Sequence, residues 1–130
     1  MKASEREFLG DIITTAVEGG TNYWAQVSQY QYVHDGNVHV YTGMRVGDET
    51  RAVLHQLNED ESDYLTEGMV LTLDAVKKGI DRIVSGEVGV SDRIVDAVKR
   101  AASELDAGEI DSSDADVIAQ VALLGDVVYG

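Results

Sequence analysis

The apolar period of this chain first changes, sharply, at Glu18-Gly19-Gly20-Thr21-Asn22-Tyr23-Trp24. Before it, Phe8, Ile12, Ile13, Ala16 and Val17 recur at helical spacing. After it, apolar and aromatic residues alternate in the manner of strands as far as Leu57. Two adjacent glycines can end a helix and let backbone approach backbone or a ligand closely. Asn22 also tolerates such geometry, and Tyr23 and Trp24 then add large surfaces with polar tips. The stretch reads either as a helix end followed by core aromatics or as a loop that lines a ligand pocket. It matches neither the phosphate-loop nor the dinucleotide fingerprint.

The first helix is expected over Ser4–Val17, with Ser4 and Glu7 at capping-box spacing and Gly19 as its stop. Three antiparallel strands follow, about 24–33, 38–46 and 50–57. Asp35-Gly36 is a strong signal for a two-residue hairpin. That turn sets Val33 opposite Val38, Tyr32 opposite His39, Tyr30 opposite Tyr41 and Val27 opposite Met44. One face then carries Val27, Val33, Val38, Val40 and Met44 and reads as core. The other carries Trp24, Tyr30, Tyr32, His39, Tyr41 and Arg45.

The C-terminal half returns to helical spacing. Residues 58–68, rich in Asp and Glu, read as a solvated loop whose spacing does not fit a calcium site. Met69–Leu71 is long enough for a short strand. Thr72, Ser91 and Asp111 are cap candidates for helices running to about 85, over about 92–106 and over about 112–125. Leu105 is expected to point inward. The apolar ending Val127-Val128-Tyr129-Gly130 is expected to dock on the body or on a second subunit. The segregation of strands and helices predicts an α+β class: one N-terminal helix, a three-stranded antiparallel meander, then three helices, in a single domain over 1–130.

Composition narrows the chemistry. The chain has no Cys, which excludes disulfides, thiolate catalysis and thiolate metal sites. Its net charge of −14 disfavours direct binding to a nucleic-acid backbone. No apolar run is long enough for a transmembrane helix, and Met1–Glu7 has no signal-peptide core, so a cytoplasmic location is expected. The three histidines, His34, His39 and His55, do not form a metal or acid–base constellation, and no Ser or Thr sits in a nucleophile motif. Neither a metal nor a cofactor is expected.

The blocks TTAVEGGTNYWAQV, GIDRIVSGEV and DAGEIDSSDADVIAQVALLGDVVYG together resemble a family of small accessory proteins of tailed phages, especially those of actinobacteria. The resemblance covers the first helix, the glycine–aromatic junction and nearly all of the C-terminal half. It implies action in the cytoplasm of a bacterial host and carries over no catalytic residue. In that setting the aromatic face suits a counter-defence role: a homo-oligomeric sponge that holds a nucleotide-like ligand without turnover. Asn22, Tyr23, Trp24, Tyr30, Tyr32, Tyr41 and Arg45 are the candidate site, with rings stacking and Arg45 meeting phosphate. Coverage of that face by helices is the competing reading. A second function class is an acidic, DNA-mimicking inhibitor of a host protein, since acids concentrate in 59–67 and 104–116 while six of ten cations fall in 77–100. A third, a hydrolase without a familiar motif, requires turnover that one carboxylate or histidine substitution abolishes.

Overall fold

The computed structural model describes residues 1–58 and 67–130. Helix α1, Ala3–Thr15, runs without a break into one π-helical turn, Ala16–Gly20. Strands β1 (Ala25–His34), β2 (Asn37–Thr42), β3 (Arg51–Gln56) and β4 (Met69–Leu71) follow, then helices α2 (Leu73–Val84), α3 (Asp92–Glu104) and α4 (Ser112–Leu124). The class is α+β, with an N-terminal helix, an antiparallel sheet and three helices. The sheet has four strands rather than three. Most of the expected acidic loop, 59–66, lies outside the described residues. Among the described residues no helix is long and apolar enough to cross a membrane.

The three C-terminal helices start where side-chain oxygens can satisfy first-turn amides. Thr72 Oγ1 accepts from Ala75 N at 3.1 Å, Ser91 Oγ from Ile94 N at 3.4 Å, and Asp111 Oδ1 from Asp114 N at 2.8 Å. At α1 the expectation fails: Lys2 is the cap position, it makes no side-chain cap, and Ser4 lies inside the helix. Gly19 does not stop the helix either, because the π turn carries it through Gly20. Leu105 ends α3 in the left-handed region (φ 51°) and is exposed, so it does not join the core.

The strands do not form a meander. Their order is β2-β1-β3-β4, with β1 central. The cause is Gln31, fully buried on β1. Its Nε2 donates to the carbonyls of Val46 and Glu49, both at 2.7 Å, and its Oε1 accepts from Val46 N at 2.8 Å. Residues 43–50 are thereby drawn across β1, and β3 arrives on its far edge. Strand β2 consequently ends at Thr42, leaving Met44 and Arg45 outside the sheet.

The hairpin itself forms as expected. Asp35 and Gly36 both have positive φ (49° and 77°), and Val33–Val38 and Tyr32–His39 are paired. Two irregularities then break the alternation. Tyr41 is skipped, so Tyr30 faces Thr42 rather than Tyr41, and Ser28 is skipped against β3. An extra residue in a strand turns every later side chain to the opposite face. Val27 therefore joins Tyr30 and Tyr32 against the core, whereas Val40 and Met44 are exposed. The pairing of Val27 with Met44 does not form. Of the face expected to be core, Val27 packs inward while Val40 and Met44 lie outside; of the aromatic face, Trp24, Tyr30 and Tyr32 are covered while His39 and Tyr41 are exposed.

Helix α1 supplies that cover. Phe8, Leu9, Ile12 and Ile13 are buried in the same core as Ala52, Leu54 and Leu71 of the sheet. The Tyr30 hydroxyl lies 2.7 Å from Thr14 Oγ1, and the Tyr32 hydroxyl donates to Asp11 Oδ1 at 3.1 Å. Burial pushes the Tyr30 phenol from 10.0 up to about 12. Between those values the folded chain holds a proton that the unfolded chain has lost, so stability falls as pH rises through 10 to 12. This one residue removes on the order of 2 kcal/mol across that window. Absorbance of ionising tyrosine, followed with a denaturation midpoint at each pH, checks it. Phenol ionisation near 10 in the native protein is the contrary result.

Candidate functional site

The glycine–aromatic junction meets the first turns of α4. Helix α4 has an apolar face made by Ala115, Ile118, Ala119 and Val121, all buried. It also buries three polar residues: Asp114, which Arg93 meets at 3.1 Å, and Asp116 and Gln120, one turn apart from each other. Buried polar groups need partners, because an unmet one costs about 1–3 kcal/mol. The junction provides those of Asp116 and Gln120. The Trp24 indole N–H donates to Asp116 Oδ1 at 2.7 Å, and the Tyr23 hydroxyl donates to Oδ2 at 2.6 Å. Gln120 Nε2 donates to the same Oδ2 at 3.1 Å. One carboxylate thus receives three side-chain donors.

Gln120 then fixes the chain's end. Its Oε1 accepts from Val128 N and Tyr129 N, each at 2.8 Å, and its Nε2 donates to the Tyr129 carbonyl at 3.0 Å. The Tyr129 ring stacks on Trp24 with centroids 5.2 Å apart and an interplanar angle of 9°. Its hydroxyl accepts from Gln56 Nε2 at 2.8 Å. The C-terminal residues are docked on the body of the same chain.

Between these parts lies a cleft of about 530 Å³. Gly19, Gly20 and Tyr23 form one wall, Ser112, Ser113 and Asp116 a second, and the docked C-terminal residues a third. Gly20 is there for space. A Cβ on it would sit 2.6 Å from the Ser112 carbonyl oxygen. The Tyr23 ring is half exposed, at 49%. Its hydroxyl is pushed up to about 12, first by burial and then by the Asp116 carboxylate. It therefore stays a proton donor at any physiological pH. None of the lining residues is cationic.

The seven residues expected to form one site fall in three places. Tyr23 lines the cleft and Trp24 lies behind it against Asp116. Asn22 is exposed on the turn and does not line the cleft. Tyr30 and Tyr32 are held under α1, and Tyr41 stacks on Tyr30 with centroids 5.4 Å apart while its own ring remains 64% exposed. Arg45 is paired with Asp48 and donates to the Gly47 carbonyl, so it meets none of the aromatic residues of the expected site. Ser112, Ser113, Asp116, Gln120 and Tyr129 were not expected at the site. Asp116 and Gln120 carry one signal in the sequence: two polar residues four apart inside ADVIAQVALL.

Comparison with protein-family models, with curated proteins and with solved structures gives no match.

Proposed function

We propose that this chain is a phage accessory protein that acts in the host cytoplasm by holding a small nucleotide-like ligand without turning it over, in the cleft beside Gly20 rather than on the aromatic sheet face. The observation that carries this reading is the cleft's construction. Its back wall is a closed hydrogen-bond network, and its front offers a half-exposed Tyr23 ring and the hydroxyls of Ser112 and Ser113. A cavity of this size suits one small molecule. The lining has no Lys or Arg, so recognition is of a planar ring rather than of phosphate. Catalysis is not part of the reading, because Asp116 is already saturated by Trp24, Tyr23 and Gln120.

Native mass spectrometry of protein expressed in a defence-carrying bacterium tests retention directly. A few hundred daltons of extra mass per site is expected. Ser113→Trp fills the cleft from an exposed position and removes that mass. Tyr23→Ala, which removes a stacking surface of about 1–3 kcal/mol, weakens binding roughly five- to 150-fold. Full retention by a folded Ser113→Trp protein sinks the assignment.

A second reading, an acidic inhibitor of a host protein, is favoured by one observation. Arg45, Lys77, Lys78, Arg82, Arg93 and Arg100 are each already paired with a carboxylate. Among the described residues, six of the chain's ten cations are thus neutralised locally, in a chain that carries 24 acids. Such a complex loosens steeply with salt. A host-protein complex whose affinity is unchanged by salt counts against this reading.

A further inference from the structure

We infer that the Tyr129 ring occupies the ligand's own ring subsite against Trp24, and that a planar ligand enters by displacing it while residues 126–130 lift about Gly125 as a strap. This rests on the reading of the cleft as a ring-binding site, and it adds where the ring lies and what competes with it.

The segment is held differently from the rest of the chain. Helix α4 ends at Leu124, and Gly125 takes the left-handed conformation (φ 82°) that turns the chain out of the helix. Past that turn, among the described residues, 126–130 make no backbone–backbone hydrogen bond. Their polar groups go to side chains instead. Val127 N donates to the neighbouring Asp126 Oδ1, while Val128 N and Tyr129 N share the single Oε1 of Gln120. The Tyr129 carbonyl accepts from Gln120 Nε2 and, at 3.3 Å, from the Tyr23 hydroxyl. Asp126, Val128 and Gly130 are exposed, so the outer side of the segment meets solvent. A stretch tied down by one carboxamide and one ring stack, with no backbone ladder, opens locally at a lower free energy than the whole fold.

The Tyr129 ring itself sits as a ligand ring would. It lies nearly parallel to the indole, and its one polar edge atom accepts from Gln56 Nε2 at 2.8 Å. The indole N–H is committed to Asp116, so Trp24 offers its ring face. Tyr129 also lines the cleft, so the space its ring vacates is continuous with the cavity. An uncharged nucleobase with an acceptor on its edge reproduces both contacts, the stack and the bond from Gln56. An internal competitor lowers apparent affinity by the fraction of molecules whose subsite is free.

Amide hydrogen exchange on the full chain, read residue by residue by NMR, tests this with adenosine, guanosine, cytidine and uridine as probes. Without a probe, the Val128 and Tyr129 amides are expected to exchange together at a rate that low urea leaves unchanged, whereas the Ile118 and Ala119 amides of α4 speed up with urea. A nucleoside that binds speeds exchange at Val128 and Tyr129 further. Tyr129→Ala, its fold checked by circular dichroism, binds that nucleoside about five- to 150-fold more tightly, the range of one aromatic stack. Val128 and Tyr129 amides that exchange only together with those of α4 overturn the strap, with no variant needed. A nucleoside that slows exchange at these two amides, or binds Tyr129→Ala more weakly than wild type, makes Tyr129 a fixed wall; the inference then falls and the cleft reading stands. Binding of no nucleoside by either wild type or Tyr129→Ala overturns both.

Discussion

Asp116→Ala lowers the unfolding free energy by about 3–5 kcal/mol, the largest loss expected from any single change at the site. The carboxylate is 6% exposed and receives Trp24, Tyr23 and Gln120. Its removal strands a fully desolvated indole N–H and one donor of a buried carboxamide, at about 1–3 kcal/mol each, and frees the Tyr23 hydroxyl to find water. Asp116→Asn keeps one acceptor and loses about half as much, since its amide nitrogen cannot accept from either aromatic donor. Urea denaturation measures the loss. The single Trp reports the cause, because Trp24 emission shifts to the red when its ring and Tyr129 separate. A loss below about 1 kcal/mol with unshifted emission shows that the network contributes little.

The second large effect separates the two adjacent glycines. Gly20→Ala places a methyl 2.6 Å from the Ser112 carbonyl oxygen and 3.3 Å from the Asp116 backbone nitrogen. Those are backbone atoms of α4, so relief requires moving the helix rather than rotating a side chain. The cost is about 1–3 kcal/mol, typical of overpacking a tight contact. At Gly19 the same methyl sits 3.5 Å from Ser112 Cβ, an ordinary contact. Gly19→Ala therefore stays within about 0.5 kcal/mol of wild type, or stabilises slightly, because Ala is the better residue in a helical turn. Paired thermal melts decide it. Equal losses at both positions rule out close backbone approach as the reason for Gly20.

Local chemistry in this chain was readable where a short segment determines its own conformation. The Asp35-Gly36 turn and the caps Thr72, Ser91 and Asp111 act within three or four residues, and all four are where pattern places them. The sheet was harder because its layout depends on single distant contacts. Gln31 looks like any polar strand residue, yet its bonds to Val46 and Glu49 send β3 to the far edge of β1. The skipped residues Ser28 and Tyr41 have no turn signature, and they broke the alternation on which the expected faces depended. The candidate site depended on those faces and was dispersed with them. Tyr23 lines the candidate cleft because its place follows from the glycine pair beside it, and Asp116 was not singled out because an acid in a helix is normally solvent-facing.

The docking of Tyr129 on Trp24 has a kinetic side. Trp24 reaches Asp116 across 92 positions of chain, and Tyr23 reaches the Tyr129 carbonyl across 106. Closing loops of that length carries an entropic cost that must be met before the contact gives anything back. The first helix and the hairpin can form from neighbouring residues, whereas the wall of the cleft cannot exist until α4 is in place. Trp24 fluorescence during refolding thus times the last event rather than the first. During synthesis the same ordering keeps the cleft open, and without its third wall, until residues 127–130 have left the ribosome.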